Sequence, residues 1–486
     1  MRPFFDLAIT LPPQGSGDLL RTVHRQLRAA IDDGRLQPGL RLPSTRALAA
    51  ALGVSRNTVV AAYDLLLSEG YLVIHPNVGT YVANLASQPM PSRTPNRVSL
   101  PDVRLNEFWR QPPPIFPGPM SRDAFRYDFR VGLPDKTLFP FSLWRRLSTR
   151  ILRPLTKTPA AYTEPEGREA LRVAITKHIS YARAVSCRVE NVVVTAGAQQ
   201  AFDLLARILV TPDKTVVAVE EPGYPPLRAA FAAARAKIAP IPVDHEGLVV
   251  ERLPEDARVI YVTPSHQCPL GVTLSARRRA ALLDFAQSRG AVVIEDDYDG
   301  EFRFNDRPID ALQTLDRHGS VFYVGTFSKS LFPSIRLGYV VTPLWARRAL
   351  VAAKAYTDWH CAVIAQDMLA AFIEEGHLLR HIRKMHKIYA ERRSILKQSL
   401  DRHCGDRLSV IGADVGLHLT VELAESLQAR KLALTAAAEG IRLQPLDSYA
   451  TQKPARNGFA LGYGMIQANQ IDEAICRLAQ TMDKIG

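Results

Sequence analysis

Lys329 stands in Val324-Gly325-Thr326-Phe327-Ser328-Lys329-Ser330, directly after a short β-branched and aromatic run, Ser320 to Val324. Such a run reads as a buried strand. A primary amine is nucleophilic near neutral pH only where burial or nearby positive charge lowers its pKa from about 10.4. A lysine so placed can condense with a carbonyl, and pyridoxal phosphate is the commonest carbonyl cofactor. Four other polar stretches also follow short apolar runs. After Thr195 come Gly197, Ala198 and Gln199, small residues opening a helix and able to hold a phosphate with backbone N–H groups. After Val219, Glu220-Glu221-Pro222-Gly223-Tyr224 presents an aromatic on a tight turn. After Val262, Thr263 to Gly271 carries His266 and Gln267. After Ile294 come Glu295, Asp296, Asp297, Tyr298 and Asp299, and Arg336 follows seven residues beyond Lys329. Taken singly, each is as readily a solvated charge or an ordinary turn; their shared placement carries the weight.

That placement depends on the elements. Glu190 to Thr195, Thr215 to Val219, Arg258 to Val262 and Ala291 to Ile294 are short apolar runs, separated by helical stretches such as 198–209, 227–236 and 277–287. Alternation of this kind predicts an α/β domain with a largely parallel sheet buried on both faces. Ligands of such sheets sit at the carboxyl ends of the strands, where these polar stretches fall.

The first 85 residues follow a different pattern. Leu20, Val23, Leu27 and Ile31 recur at helical spacing, Ser44 caps a second helix, and Ser55 caps a third from Arg56 to Ser68. Two strands around Pro76-Asn77 follow as a wing. Helices joined by a glycine-containing turn form a helix-turn-helix, and base contacts would come from Ser55, Arg56, Asn57 and Thr58. Residues 16–85 hold seven arginines against five acids, a balance of only +2 within a chain of +13. Recognition would therefore rest on a few placed arginines and on two copies per operator. Prolines crowd 86–125, which reads as a semi-extended linker anchored at Phe108-Trp109. Five scattered cysteines without a C-x-x-C pair argue against a disulfide scaffold or zinc site and fit a reducing cytosol. Neither a signal peptide nor an apolar stretch of about 18 residues is evident, so no membrane partner is expected.

The phrases "GRLQPGLRLPSTRALAAALGVSRNTVVAAYDLLLSEGYL" and "GTYV" resemble the winged helix of GntR-type transcription regulators. From about 127 onward the ordered motifs are similar to fold-type I pyridoxal-phosphate enzymes, the class I aminotransferases. The two together resemble the MocR/GabR-type subfamily. The resemblance implies a winged helix-turn-helix (16–85), a Pro-rich linker (86–125) and an aminotransferase-like domain (126–486). The last would have a largely parallel sheet and a small C-terminal α/β subdomain. It implies DNA contacts from Arg46 and Arg56, with Ser55, Asn57 and Thr58 beside them and Gly79-Thr80 near the minor groove. Lys329 would bind pyridoxal phosphate as an aldimine, Asp296 would face the ring nitrogen, Tyr298 the 3-oxygen and Tyr224 the ring face. Gly197, Ala198, Gln199, Ser328 and Arg336 would cradle the phosphate, and Tyr162 would be lent to a partner's phosphate. His266 and Gln267 stand where such enzymes carry an asparagine near the 3-oxygen. Glu295 and Asp297 remain alternatives to Asp296, although strand alternation sends neighbours to opposite faces. The family's carboxylate-gripping arginine is replaced by Ala460 in Gly458-Phe459-Ala460-Leu461-Gly462-Tyr463; Arg442 and Arg456 are off the matching position. A cytoplasmic, head-to-tail homodimeric regulator sensing a small amine or a vitamin B6 form is thus expected. A working aminotransferase with an accessory reader is the alternative, and a regulator whose pocket has decayed is a third.

Overall fold

A computed structural model describes residues 9–12, 18–84, 104–116, 125–155, 157, 161–304, 309–412 and 415–485. Most of the expected linker, 86–103 and 117–124, lies outside the described residues. The chain divides into two compact units, Met1–Asp102 and Val103–Gly486.

In the first unit, α1 (Leu19–Asp32), α2 (Thr45–Leu52) and α3 (Arg56–Ser68) pack together through Val23, Leu27, Leu48, Val59, Tyr63 and Leu66. Ser44 Oγ accepts from Ala47 N at 3.2 Å and Ser55 Oγ from Thr58 N at 3.1 Å, so both helices begin at side-chain caps. Gly53 ends α2 at φ +65°, a conformation that favours glycine. The wing is an antiparallel hairpin of β1 (Leu72–His75) and β2 (Gly79–Val82), turning through Asn77 at φ +64°.

The second unit is built on an eight-stranded sheet. Its strands are β3 (Val192–Thr195), β4 (Val216–Glu221), β5 (Lys237–Asp244), β6 (Gly247–Leu248), β7 (Ala257–Val262), β8 (Val292–Asp297), β9 (Val321–Thr326) and β10 (Gly338–Val341). The spatial order is β3-β10-β9-β8-β7-β4-β5-β6. The run β9-β8-β7-β4-β5 is parallel, while β10 and β6 run antiparallel to their neighbours. Both faces are buried. Val217, Val219, Val259 and Tyr261 pack on one side, and Val216, Ala218, Ile260 and Val262 pack on the other. Near-continuous apolar strands are what a two-sided sheet requires. A second, four-stranded antiparallel sheet orders β11 (Leu408–Ile411), β12 (His418–Leu423), β14 (Gly458–Gly462) and β13 (Gln444–Pro445). Among the described residues no helix is long and apolar enough to cross a membrane.

Residues 104–116 belong to the second unit, where Glu107–Arg110 form one helical turn. Phe108 and Trp109 meet edge to face, but Trp109 is largely exposed. The residue of this stretch that enters a core is Phe116, which packs beside Leu446, Tyr449 and Ala460.

Candidate cofactor pocket and DNA-reading face

A cavity of about 320 Å³ opens at the carboxyl ends of the parallel strands. Lys329 reaches it from the turn after β9, and its Nζ donates to Gly132 O at 2.6 Å. Burial lowers the Lys329 pKa, opposed by the negative charge of Asp299 and Asp296 and by the Cys268 thiol. A Cβ on Gly132, which has φ +74°, would come within 2.6 Å of Nζ, so the glycine makes room for the amine.

The three acids of β8 sort by alternation. Glu295 turns away to accept from Leu312 N and Gln313 N, capping a helical turn. Asp297 is bound by Arg183 at 2.6 Å and by the Tyr323 hydroxyl at 2.6 Å. Asp296 alone lines the cavity. Its Oδ2 accepts from Tyr261 at 2.8 Å, while its Oδ1 is buried without a partner among the described residues. Burial pushes its pKa up to about 7, against the Tyr261 hydrogen bond. An orphaned, buried carboxylate oxygen costs roughly 1–3 kcal/mol until a donor reaches it.

Tyr298 and Tyr224 also line the cavity. Tyr224 immediately precedes the helix Pro225–Ala233, whose opening prolines fix its approach. At the far end, Ala198 and Gln199 begin the helix Ala198–Leu209, preceded by Gly197 at φ +81°. A Cβ on Gly197 would lie 3.1 Å from the Arg336 guanidinium, so this glycine and Arg336 form one close-packed cradle. Ser328 N donates to Thr326 Oγ1, folding the turn that presents Ser328 beside Lys329. Helix N–H groups, hydroxyls and a guanidinium meeting at one end of a cavity suit a phosphate.

His266 and Gln267 do not line the cavity. Gln267 is buried and clamps its own loop: Nε2 donates to Pro222 O and Cys268 O at 2.9 Å, and Oε1 accepts from Leu270 N. His266 lies behind Tyr298, whose hydroxyl donates to His266 O at 2.9 Å. Chain order placed both residues at the strand end, but the loop folds them inward, and neither lines the cavity. Tyr162 is 78 % exposed and rests against Trp359 at 5.2 Å, outside its own chain's cavity.

Residues not anticipated from sequence complete the walls. Tyr261 orients Asp296, Gly132 receives Lys329, and Phe116 and Tyr449 meet edge to face at 5.0 Å. The alternation of β7 pairs Tyr261 with its neighbour strand β8, a clue present in the pattern; nothing local marks Phe116. Ala460 is fully buried in β14 between Thr420 and Gln444, and of these three only Gln444 lines the cavity. Arg456 is engaged with Glu422 and Arg442 lies over Phe125.

On the first unit, Arg46, Ser55, Arg56 and Asn57 are exposed and Thr58, Gly79 and Thr80 half-buried. The Ser55 and Thr58 hydroxyls are 2.8 Å apart and serve the α3 cap, whereas the exposed Arg46, Arg56 and Asn57 side chains bond no other side chain among the described residues. Arg41 lies against Gly79 of the wing, an arginine overlooked in the sequence.

Two family descriptions match, "Bacterial regulatory proteins, gntR family" over residues 19–82 and "Aminotransferase class I and II" over 144–467. The probable rhizopine catabolism regulatory protein MocR of Rhizobium meliloti is 36% identical over 94% of this chain and 92% of its own. The pyridoxine biosynthesis regulator PdxR of Corynebacterium glutamicum is 32% identical over 94% of this chain and 95% of its own. The chain belongs to the MocR-type GntR regulators. Among solved structures, the Pyrococcus horikoshii kynurenine aminotransferase matches with TM-score 0.69 and 28% identity, over 75% of this chain and 92% of that one. This MocR-type regulator therefore joins a GntR DNA-reading domain to a fold-type I domain whose cofactor is pyridoxal phosphate. The orphaned Asp296 Oδ1, the lowered amine of Lys329 and the Gly197–Arg336 cradle fit that cofactor in one cavity.

Proposed function

We propose that this regulator senses a small amine, or a vitamin B6 form, through pyridoxal phosphate held at Lys329, and couples occupancy to DNA reading. When bound, pyridoxal phosphate supplies a carbonyl that condenses with primary amines and a ring that withdraws electrons. Lys329 would supply the amine that holds the cofactor, the position for which an incoming amine would compete. Asp296 Oδ1 accepts from the ring N–H, which removes the cost of its unpaired burial. Tyr298 would donate to the 3-oxygen and Tyr224 would cover the ring face, both from the cavity wall. Gly197, Ala198, Gln199, Ser328 and Arg336 bind the phosphate, with Tyr162 lent by each protomer to its neighbour in a head-to-tail dimer. Arg46, Arg56 and Asn57 read the operator, while Ser55 and Thr58 fix the start of α3 and Gly79-Thr80 approach the minor groove. Two such readers per dimer suit paired or repeated half-sites in the cytoplasm. The amine acts as a switch to the extent that it binds two arrangements of the regulator unequally.

The observation that carries this reading is the unpaired Oδ1 of Asp296, a residue that lines the same cavity as Lys329, on a chain that carries a GntR reader. An absorbance screen of the reconstituted protein against amines, amino acids and B6 forms tests it, followed by operator retention with each ligand that moves the band. If no ligand that moves the band alters retention, the sensing role is refuted.

A second reading, a working aminotransferase, is favoured by the intact lysine and aspartate. Ala460, in place of an arginine, and the absence among the lining residues of a cation besides Lys329 and Arg336 weigh against it. Sustained transamination at ordinary enzyme rates, about 1 per second or faster, would establish it.

A further inference from the structure

His266, Asp299 and Tyr298 form a hydrogen-bonded chain that ends at the cavity. The His266 ring is 2% exposed, and its Nδ1 lies 3.0 Å from both Asp299 carboxylate oxygens and 3.1 Å from the Tyr298 hydroxyl. A carboxylate only accepts, so Nδ1 carries the hydrogen. Nε2 is buried and has no hydrogen-bond partner among the described residues. Asp299 is itself fixed, because its Oδ2 accepts from Leu417 N at 3.0 Å. The His266 and Tyr298 rings lie nearly parallel, 29° apart, at 5.8 Å. Gly416, at φ +76°, passes so close that a Cβ there would collide with both the imidazole and Asp299. On its other side His266 meets the ring of His418 at 4.4 Å. His418 Nε2 donates to Pro269 O at 3.0 Å, and burial holds that ring neutral. His266 therefore has one place to be.

We infer that Asp299 and His266 are positioning residues that set the Tyr298 hydroxyl as a donor to the cofactor's 3-oxygen. The hydroxyl donates its hydrogen to His266 O. Facing the cofactor, it would turn that hydrogen to the 3-oxygen while its own oxygen shares the single His266 Nδ1–H with Asp299. An N–H directed at the phenolic oxygen strengthens that phenol as a donor and holds its lone pair in place. Asp299 in turn holds the imidazole with its hydrogen on Nδ1, as a carboxylate bonded to the ring of a functional histidine does. The chain acts through Tyr298 and touches no ligand itself.

The inference rests on the cofactor reading above, and the experiment separates the two. The full-length chain is titrated with pyridoxal phosphate and with its analogue lacking the 3-oxygen, in wild type, His266→Leu, His266→Asn and Asp299→Asn. In wild type pyridoxal phosphate should bind more tightly than the analogue. In His266→Leu that preference should fall roughly 5- to 10-fold, with analogue affinity unchanged. His266→Asn places an amide N–H near the position of Nδ1 and should restore most of the preference. Asp299→Asn should lower it in the same direction and carries the comparison if His266→Leu does not fold. Equal losses for both ligands, or no loss, would overturn the inference, since a purely structural role cannot single out the 3-oxygen. Failure of wild type to bind either ligand would instead remove the cofactor reading.

Discussion

Asp296 has one oxygen tied to Tyr261 and one with nothing to bond, and that imbalance has a measurable sign. Its folded pKa of about 7 lies above the ordinary carboxylate value, so the folded state binds its proton more tightly than the unfolded chain does. Its contribution to stability therefore falls as pH rises from about 4 to about 7. In cofactor-free protein, Asp296→Asn should remove that decline and raise stability at pH 8 by roughly 1–3 kcal/mol, while weakening retention of pyridoxal phosphate. Thermal unfolding at pH 5 and pH 8, with and without cofactor, checks both halves; a uniformly destabilised variant would refute the orphan assignment. Lys329→Ala should abolish the visible cofactor band and the ligand response but keep operator retention, read by absorbance and gel shift on one preparation. At this scale sequence was informative where a period exists. Alternation along β8 separates Asp296 from Glu295 and Asp297, and the three go to different partners. It failed at His266 and Gln267, because a nine-residue loop from Thr263 to Gly271 has no period and folds by contacts made elsewhere in the chain.

At the scale of elements, α3 shows how one helix start serves two ends. Ser55 builds the cap and Arg56 extends from it. Ser55→Ala should cost about 1 kcal/mol of reader stability. Arg56→Ala should leave stability within about 0.5 kcal/mol and abolish specific retention. Urea unfolding and gel shifts on the two variants separate these effects, and retained binding by Arg56→Ala would reject it as a reader. The strands and the helices 198–209 and 56–68 were legible because burial on one or both faces imprints a period on the sequence. The stretch 104–116 has no such imprint. Its prolines announce a connector, yet Phe116 is held in an aromatic group with Tyr224 and Tyr449.

For the molecule as a whole, the proposed loan of Tyr162 between protomers predicts complementation. If Tyr162 serves the neighbour's phosphate, Lys329→Ala and Tyr162→Ala chains are each impaired alone. Mixed and re-associated, they should regain tight cofactor binding at one site per mixed dimer. Fluorescence titration of the mixture against each parent measures this, and no regain would place Tyr162 outside the site.

The matched aminotransferase region begins at residue 144, yet the cavity draws Phe116, Val131, Gly132 and Leu133 from before it. A chimera that grafts another reader onto this sensor must therefore be joined ahead of Val103, where the second unit begins. A junction at 126 would discard a side chain that forms part of the ligand's own enclosure. The shortest segment to carry the fold is not the shortest to carry the recognition.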